Sequence, residues 1–369
     1  MAKSPSFLTS IVSGSADGEL RMWDLTERKS AWMVRGHDKF VRGVCFIPEE
    51  RKILSCGDDK IIKLWDCHSS STMPILTFNG KSTFTGVDHH RNQACFATSG
   101  AGIEIWNHER TEPVTTFSWN SDTITSVKFN QTEISILAAC AYDRSVILYD
   151  LRSSTPLAKS ILNMRSNALC WNPMEAYYFT VANEDHNCYT FDMRKMDRAV
   201  NIIKGHVSAV LDVDYSPTGQ EIVTGSYDKT VRIFNAREGL SRDVYHTKRM
   251  QRIFTVKVSM DAQYILSGSD EGNIRLWKMD ASRKIAIATP REKAAVHYNK
   301  ALKQKFRHVD EVRKISRHRR IPKAIVTATK TKREMLKSAH RKAENERKHS
   351  KFEGEKKSEK EKTILAIKK

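Results

Sequence analysis

Short runs of alternating apolar and polar residues fill the first three quarters of the chain, each closed by turn-forming residues. The clearest set lies between Gly205 and Asn235. Val210-Leu-Asp-Val-Asp-Tyr215 alternates, Ser216-Pro-Thr-Gly219 interrupts it, and Glu221-Ile-Val-Thr-Gly-Ser226 resumes. After Tyr227-Asp-Lys229, the run Thr230-Val-Arg-Ile-Phe234 completes the set. A two-residue period punctuated by Pro, Gly and Asp predicts antiparallel hairpin strands. Residues 36–66 repeat the pattern. A bulky aromatic ends each set: Trp23, Trp65, Trp106, Tyr149, Phe191, Phe234 and Trp277, at gaps of 42, 41, 43, 42, 43 and 43. One small sheet cannot bury both its faces alone, and stacked neighbours can. The period therefore predicts an all-β, seven-bladed β-propeller.

A carboxylate stands six residues before most of these aromatics: Asp17, Asp59, Asp143, Asp185 and Asp228, with Glu271 in the seventh set. Gly-His opens the second and sixth sets at Gly36-His37 and Gly205-His206. These residues suit a buried relay running from turn carboxylate to His, to a strand hydroxyl, to the Trp N–H. In the second set its members are His37, Ser55, Asp59 and Trp65; in the sixth, His206 and Asp228. Buried polar groups need partners, so such a relay fixes blade geometry. Its recurrence at blade spacing argues for structure over catalysis. The third, fourth and fifth sets lack Gly-His, and the relay is expected to be incomplete there. The first set lacks both Gly-His and a strand before Phe7, so the first blade is expected to be incomplete and the N-terminus shortened. Residues 283–289 are a candidate substitute outer strand.

The Gly-His and Trp-Asp pairs (Trp23-Asp24, Trp65-Asp66) resemble the WD-repeat family over about residues 7–278, and that resemblance implies the seven-bladed propeller.

After Trp277 the rhythm stops. Thr289-Pro-Arg-Glu292 reads as a capped helix start. Ala295, Tyr298, Leu302, Phe306 and Val309 follow at helical spacing. Pro322 restarts a helix with Ile325, Ala328, Leu336, Ala339 and Ala343 on one side. These stripes predict docking on the propeller flank or on a partner. The domain reading is a propeller over 1–278, a basic helical extension over 279–349, and a disordered basic tail over 350–369.

Charge sharpens that division. Residues 279–369 hold 29 Lys+Arg against 11 Asp+Glu, leaving 33 against 32 in residues 1–278. A neutral body with a cationic appendage points to an anionic partner, nucleic acid before membrane. The candidate ribonucleoprotein contacts are Arg317, Arg319, Arg320, Lys323, Lys330, Lys332 and Arg333. About half a dozen phosphate contacts would give log K a slope of roughly −4 against log salt on single strands. Aromatics are few in the tail, so no base-stacking platform is expected there. The seven scattered cysteines read as apolar core residues of a reduced, intracellular protein. No secretory leader is evident, nor an apolar run of about 18 residues.

Residues 291–326 (REKAAVHYNKALKQKFRHVDEVRKISRHRRIPKAIV) and then 332–351 (KREMLKSAHRKAENERKHSK) resemble the Sof-like domain that follows the propeller in one WD-repeat family. The resemblance implies a nuclear, nucleolar scaffold of the small-subunit processome, associated with the U3 small nucleolar ribonucleoprotein and needed for 18S ribosomal RNA processing. Its implied partners are pre-ribosomal proteins and pre-rRNA or snoRNA phosphates. The alternative is a substrate receptor of a cullin-4 ubiquitin ligase. Tyr149-Asp150-Leu151-Arg152 and Phe191-Asp192-Met193-Arg194 look like the Asp-x-Arg boxes by which some WD-repeat proteins meet the ligase adaptor, so Arg152 and Arg194 are candidate contacts. No phosphate loop, nucleophile motif or metal-ligand spacing is present, and Asp88-His89-His90 reads as a polar strand end. Neither catalysis nor a cofactor is expected.

Overall fold

The computed structural model describes all residues except 6–8, 49–50, 68–71, 119–121, 154, 282–288, 319–320, 351–357 and 369; of residue 317 only the backbone is described. Seven antiparallel sheets stand around a common axis. The first blade comprises Ala2–Lys3, Ser10–Gly14, Glu19–Asp24 and Lys29–Arg35. The second comprises Val41–Phe46, Lys52–Gly57, Ile61–Asp66 and Leu76–Asn79. Each later blade repeats this meander, its first strand lying nearest the axis. The seventh shows three strands among the described residues, Ile253–Val258, Tyr264–Ser269 and Ile274–Lys278.

Alternation sets the register. In the second blade Ile53 pairs with Trp65 and Leu54 with Leu64, so apolar side chains meet on each face. Middle strands are covered on both faces and lose the alternation; Ile136–Ala141 is buried at five of its six positions. The core lies between blades. Leu148 and Val146 of the fourth blade pack with Trp171, Phe179 and Phe191 of the fifth in one cluster. Phe96 stacks on Trp106 at 6.2 Å between centroids. The residue after the turn carboxylate has positive φ in six blades (Gly18, Lys60, Arg144, His186, Lys229 and Gly272), the tight turn that presents the carboxylate to backbone N–H groups.

The first blade corrects the expectation of a missing inner strand. Ala2 pairs with Val12 and Lys3 with Ile11, so two residues supply it. Two residues carry no readable period, which is why the pattern hid them. The substitute strand expected at 283–289 lies almost wholly outside the described residues. The short strand sits beside Ile253–Val258, and Lys3 Nζ reaches Asp214 Oδ2 of the sixth blade at 3.1 Å. Inner-strand carboxylates stitch neighbouring blades. Asp88 accepts from Phe129 N at 2.8 Å, Asp212 from Val256 N at 2.9 Å and Asp214 from Val258 N at 2.8 Å.

Three helices follow: α1 (Pro290–Lys305), α2 (Asp310–Arg317) and α3 (Lys323–His349). The cap at α1 forms, with Glu292 N donating to Thr289 Oγ1 at 3.3 Å and Thr289 N donating to Glu292 Oε2 at 3.2 Å. The apolar stripe is not covered by any of the described residues: Tyr298 and Leu302 of α1, with Phe306 and Val309 in the turn after it, are exposed, and the single helix expected through Val309 ends at Lys305. No residue of α3 is buried; Thr329, Lys332 and Leu336 turn toward the propeller rather than the Ala-rich side.

The tail departs further from the expectation of disorder. Glu359–Lys362 forms a helical turn (α4), and Ile364–Lys368 adds a fifth strand to the outer edge of the fourth blade. Lys368 pairs with Lys159, Ile367 with Ser160, Ala366 with Ile161 and Ile364 with Leu162. An open sheet edge offers unpaired donors and acceptors, and an Ile-Leu-Ala-Ile run is a sequence able to take them. No helix among the described residues is long and apolar enough to cross a membrane.

Candidate functional site: buried relays, exposed arginines and a cationic cleft

In the second blade His37 Nδ1 lies 2.8 Å from Asp59 Oδ2, His37 Nε2 lies 2.7 Å from Ser55 Oγ, and Trp65 Nε1 lies 2.8 Å from Ser55 Oγ. Donor logic fixes the protons. The Trp65 N–H can only donate, so Ser55 accepts from it; ionised Asp59 can only accept, so neutral His37 gives it the Nδ1 proton and its bare Nε2 accepts from the Ser55 hydroxyl. Burial pulls the His37 pKa below its ordinary value despite Asp59. The sixth blade builds the same chain with Thr224: His206 lies 2.9 Å from Asp228 Oδ2 and 2.6 Å from Thr224 Oγ1. Burial opposes the charge on Asp228, yet His206, Arg232 and the Thr230 hydroxyl outweigh it and hold the carboxyl far below the usual range.

Other blades keep fragments. Trp23 donates to Ser13, Trp106 to Thr98 and Trp277 to Ser267, at 2.8, 2.9 and 2.8 Å, without a His. Asp143 takes Lys159 instead at 2.7 Å, and Asp185 takes Tyr189. These groups are enclosed in the blades and spend their bonding capacity on each other.

Arg152 and Arg194 end the third strands of adjacent blades on the same edge of the ring. Each pairs with the carboxylate two residues before it, Asp150 at 3.1 Å and Asp192 at 2.8 Å. Their side chains are 77% and 55% exposed, so both guanidiniums face solvent. The Arg194 guanidinium also lies 4.2 Å from the Tyr177 ring centroid.

The basic residues of the extension divide. Lys332 donates from Nζ to His206 O at 3.1 Å, tying α3 to the opening of the sixth blade. Burial, then Arg232, lowers the Lys332 pKa, against the pull of Asp185. Arg333 stands beside it, while Lys323 and Lys330 are exposed and line no part of this opening. Arg319, Arg320 and the Arg317 side chain lie outside the described residues. Between the helices and the flank of the fifth and sixth blades is a cleft of about 1330 Å³. Arg232 and Arg242 line its propeller side; Arg307, Arg313, Lys332 and Arg333 line its helical side. The sequence pattern missed four of these six. Arg232 was legible as a charge inside a strand; Arg307 and Arg313 were hidden by the denser run after them. Among the described residues no three His, Cys, Asp or Glu side chains gather to hold a metal.

Seven stacked sheets, repeated Ser/Thr-to-Trp links and a cationic helical extension define a WD-repeat scaffold. Models of the WD domain, G-beta repeat, match residues 28–66, 111–150, 198–235 and 244–278, and a Sof1-like domain model matches 279–364. The chain is 48% identical over 372 residues to DDB1- and CUL4-associated factor 13 of Xenopus tropicalis, covering 100% of this chain and 84% of that one. It is 48% identical to the Homo sapiens protein of the same name, over 95% of this chain and 80% of that one. With Protein SOF1 of Saccharomyces cerevisiae the identity is 46%, over 94% and 76%. The chain belongs to this family of WD-repeat proteins with a Sof1-like domain. Propellers and extensions of this type are typically non-catalytic.

Proposed function

We propose that the protein is a non-catalytic scaffold of the small-subunit processome, working in the nucleolus with the U3 ribonucleoprotein toward 18S ribosomal RNA. The observation that carries this reading is similarity to Protein SOF1 over nearly the whole chain, Sof1-like domain included. The placement of charge supports it: the propeller is close to neutral, and the excess sits on the domain that distinguishes this family. The propeller presents protein-binding loops on a stiff core, and the extension neutralises phosphates. Deleting residues 279–369 should leave a cooperative melt and a β-type circular dichroism spectrum while abolishing nucleolar retention and co-sedimentation with pre-ribosomal particles. Undiminished co-sedimentation of the truncated chain refutes the proposal.

A second reading is favoured by a separate observation. Arg152 and Arg194 are exposed on one edge of adjacent blades, and the vertebrate relatives are named for DDB1 and CUL4. A planar guanidinium suits an acidic partner pocket. Replacing both by Ala should abolish DDB1 pull-down and shift the thermal midpoint little, because both guanidiniums face solvent. Retained pull-down removes this reading.

A further inference from the structure

We propose that the cleft between the helical extension and the sixth blade is a binding site for the phosphate backbone of single-stranded RNA, read without regard to sequence. The proposal rests on the scaffold function above and gives it a location.

Charge and shape converge here. Arg232 and Arg242 approach from the propeller, Arg307 from the connection after α1, Arg313 from α2, and Lys332 and Arg333 from α3. Glu238 is the one carboxylate residue among the lining side chains. Not all of these cations are free. Arg242 pairs with Glu221 and with Asp243, the latter at 2.9 Å, and Arg232 lies 3.9 Å from Asp228. In contrast, Arg307, Arg313, Lys332 and Arg333 have no carboxylate within 4.0 Å among the described residues. Lys204 also lines the propeller side and pairs with Glu359. Arg307, Arg313 and Arg333, with Lys332 held by a backbone carbonyl, face these three propeller cations across a concavity, and their mutual repulsion favours entry of an anion. Burial, with Arg232 beside it, depresses the Lys332 pKa against the opposing pull of Asp185 and Asp228, so positive charge is already disfavoured at this point of the cleft.

The chemistry of the lining selects the ligand. Arg forks grip phosphate oxygens through paired N–H donors. Among the described residues no Phe, Tyr or Trp lines the cleft, so phosphate contacts outnumber the stacking faces it offers. Phosphate contacts position a strand and carry no sequence information. The opening lies between two separate elements and admits a chain that threads. A flexible single strand can follow such a concavity, whereas a stiff duplex cannot readily bend to its lining. This site is also distinct from the exposed basic residues Lys323 and Lys330, which a diffuse electrostatic contact would use equally.

The test uses the full-length chain and a fluorescein-labelled oligouridylate read by anisotropy. Replacing Arg307, Arg313 and Arg333 by Gln should weaken binding more than about tenfold and flatten the salt slope by about 2, from three lost phosphate contacts on a single strand. Replacing Arg341, Lys342 and Arg347 by Gln removes equal charge from the far end of α3 and should change affinity less than about threefold. Oligoadenylate should bind within about threefold of oligouridylate, and an RNA duplex should compete poorly. Crosslinking of the unmodified chain should place the strand on peptides containing Arg313 and Arg333, which keeps the test independent of how the variants fold. Equal losses in the two triple variants overturn the cleft and leave a diffuse contact. Displacement by inositol hexakisphosphate with no RNA binding overturns it in favour of a small polyanion. Failure of the intact chain to bind RNA while it still co-sediments with pre-ribosomal particles overturns the cleft and spares the scaffold reading. Loss of co-sedimentation as well sinks both.

Discussion

Ser55→Ala should be among the costliest single-atom changes in the protein. Ser55 is fully buried, and its hydroxyl serves two groups that are also buried, Trp65 at 2% exposure and His37 at 1%. Removing the oxygen leaves the Trp65 N–H without an acceptor and His37 Nε2 without a donor, and creates almost no cavity. An orphaned buried polar group costs about 1–3 kcal/mol, so two should cost about 2–6 kcal/mol. The third blade supplies an internal control. Thr98 receives Trp106 Nε1 at 2.9 Å and has no His beyond it. Thr98→Val therefore orphans a single N–H and should cost about 1–3 kcal/mol. Ser55→Thr keeps the hydroxyl and should stay within about 1 kcal/mol. The measurement is guanidinium unfolding by far-UV circular dichroism, reading the midpoint at unchanged slope. A Ser55→Ala cost no greater than that of Thr98→Val would refute the relay as drawn.

Two other outcomes follow from particular groups. Burial holds His89 neutral down to about pH 4 rather than the ordinary 6.5, and its Nε2 lies 2.8 Å from His108 Nε2. Its folded pKa is the lower one, so the folded state binds fewer protons. Stability from this site is full above pH 6.5, falls as pH drops toward 4, and is flat below, with a total loss of at most about 3 kcal/mol. His89→Gln should flatten that part of the stability–pH curve; an unchanged curve contradicts the assignment. Truncation after residue 357 removes the fifth strand of the fourth blade. Hydrogen exchange should then quicken at Lys159 and Ile161 by about tenfold or more, and the exposed edge should promote self-association on gel filtration. Unaltered protection over residues 156–162 rules the pairing out.

The repeat was legible because stacking imposes the same demand seven times. A weak period-2 signal, insufficient in any one blade, is reinforced at each 41–43-residue step. The second-blade relay was legible for the same reason, as was the cap at Thr289, whose logic is local. What stayed hidden is non-local or too short to have a period. Ala2–Lys3 is a strand only because the edge of Ser10–Gly14 accepts it. Ile364–Lys368 lies in lysine-rich sequence that composition assigns to disorder, and its partner strand is some two hundred residues earlier. Asp88, Asp212 and Asp214 looked like ordinary polar alternates on their strands; their role depends on the N–H groups of the next blade. The cleft unites residues from three separate stretches, and no spacing rule joins them. The α1 stripe shows the converse. Helical periodicity placed Ala295, Tyr298 and Leu302 on one helix but ran on through Phe306 and Val309, which cap the end of α1 and the start of α2, and it carried no information on whether this chain covers them.

The division of charge decides which part of the molecule responds to an anion. In the propeller, cations are spent internally: Lys3 on Asp214, Lys128 on Asp88, Lys159 on Asp143 and Arg275 on Glu271, all within 3.1 Å. Several of these pairs are shielded from water, so salt screens them little and the ring holds its shape across ionic strengths. The extension has the opposite character. α3 carries nine Lys+Arg against three Glu over 27 residues and buries none of them. Packing therefore contributes little to α3, and like charges along it oppose its helical state. A polyanion lying against it removes that repulsion and supplies the missing partners. Anion binding should therefore stabilise the extension and be salt-sensitive, while the propeller's shielded pairs respond little to salt. A scaffold divided in this way can be released from a phosphate-rich particle without unfolding its protein-binding face.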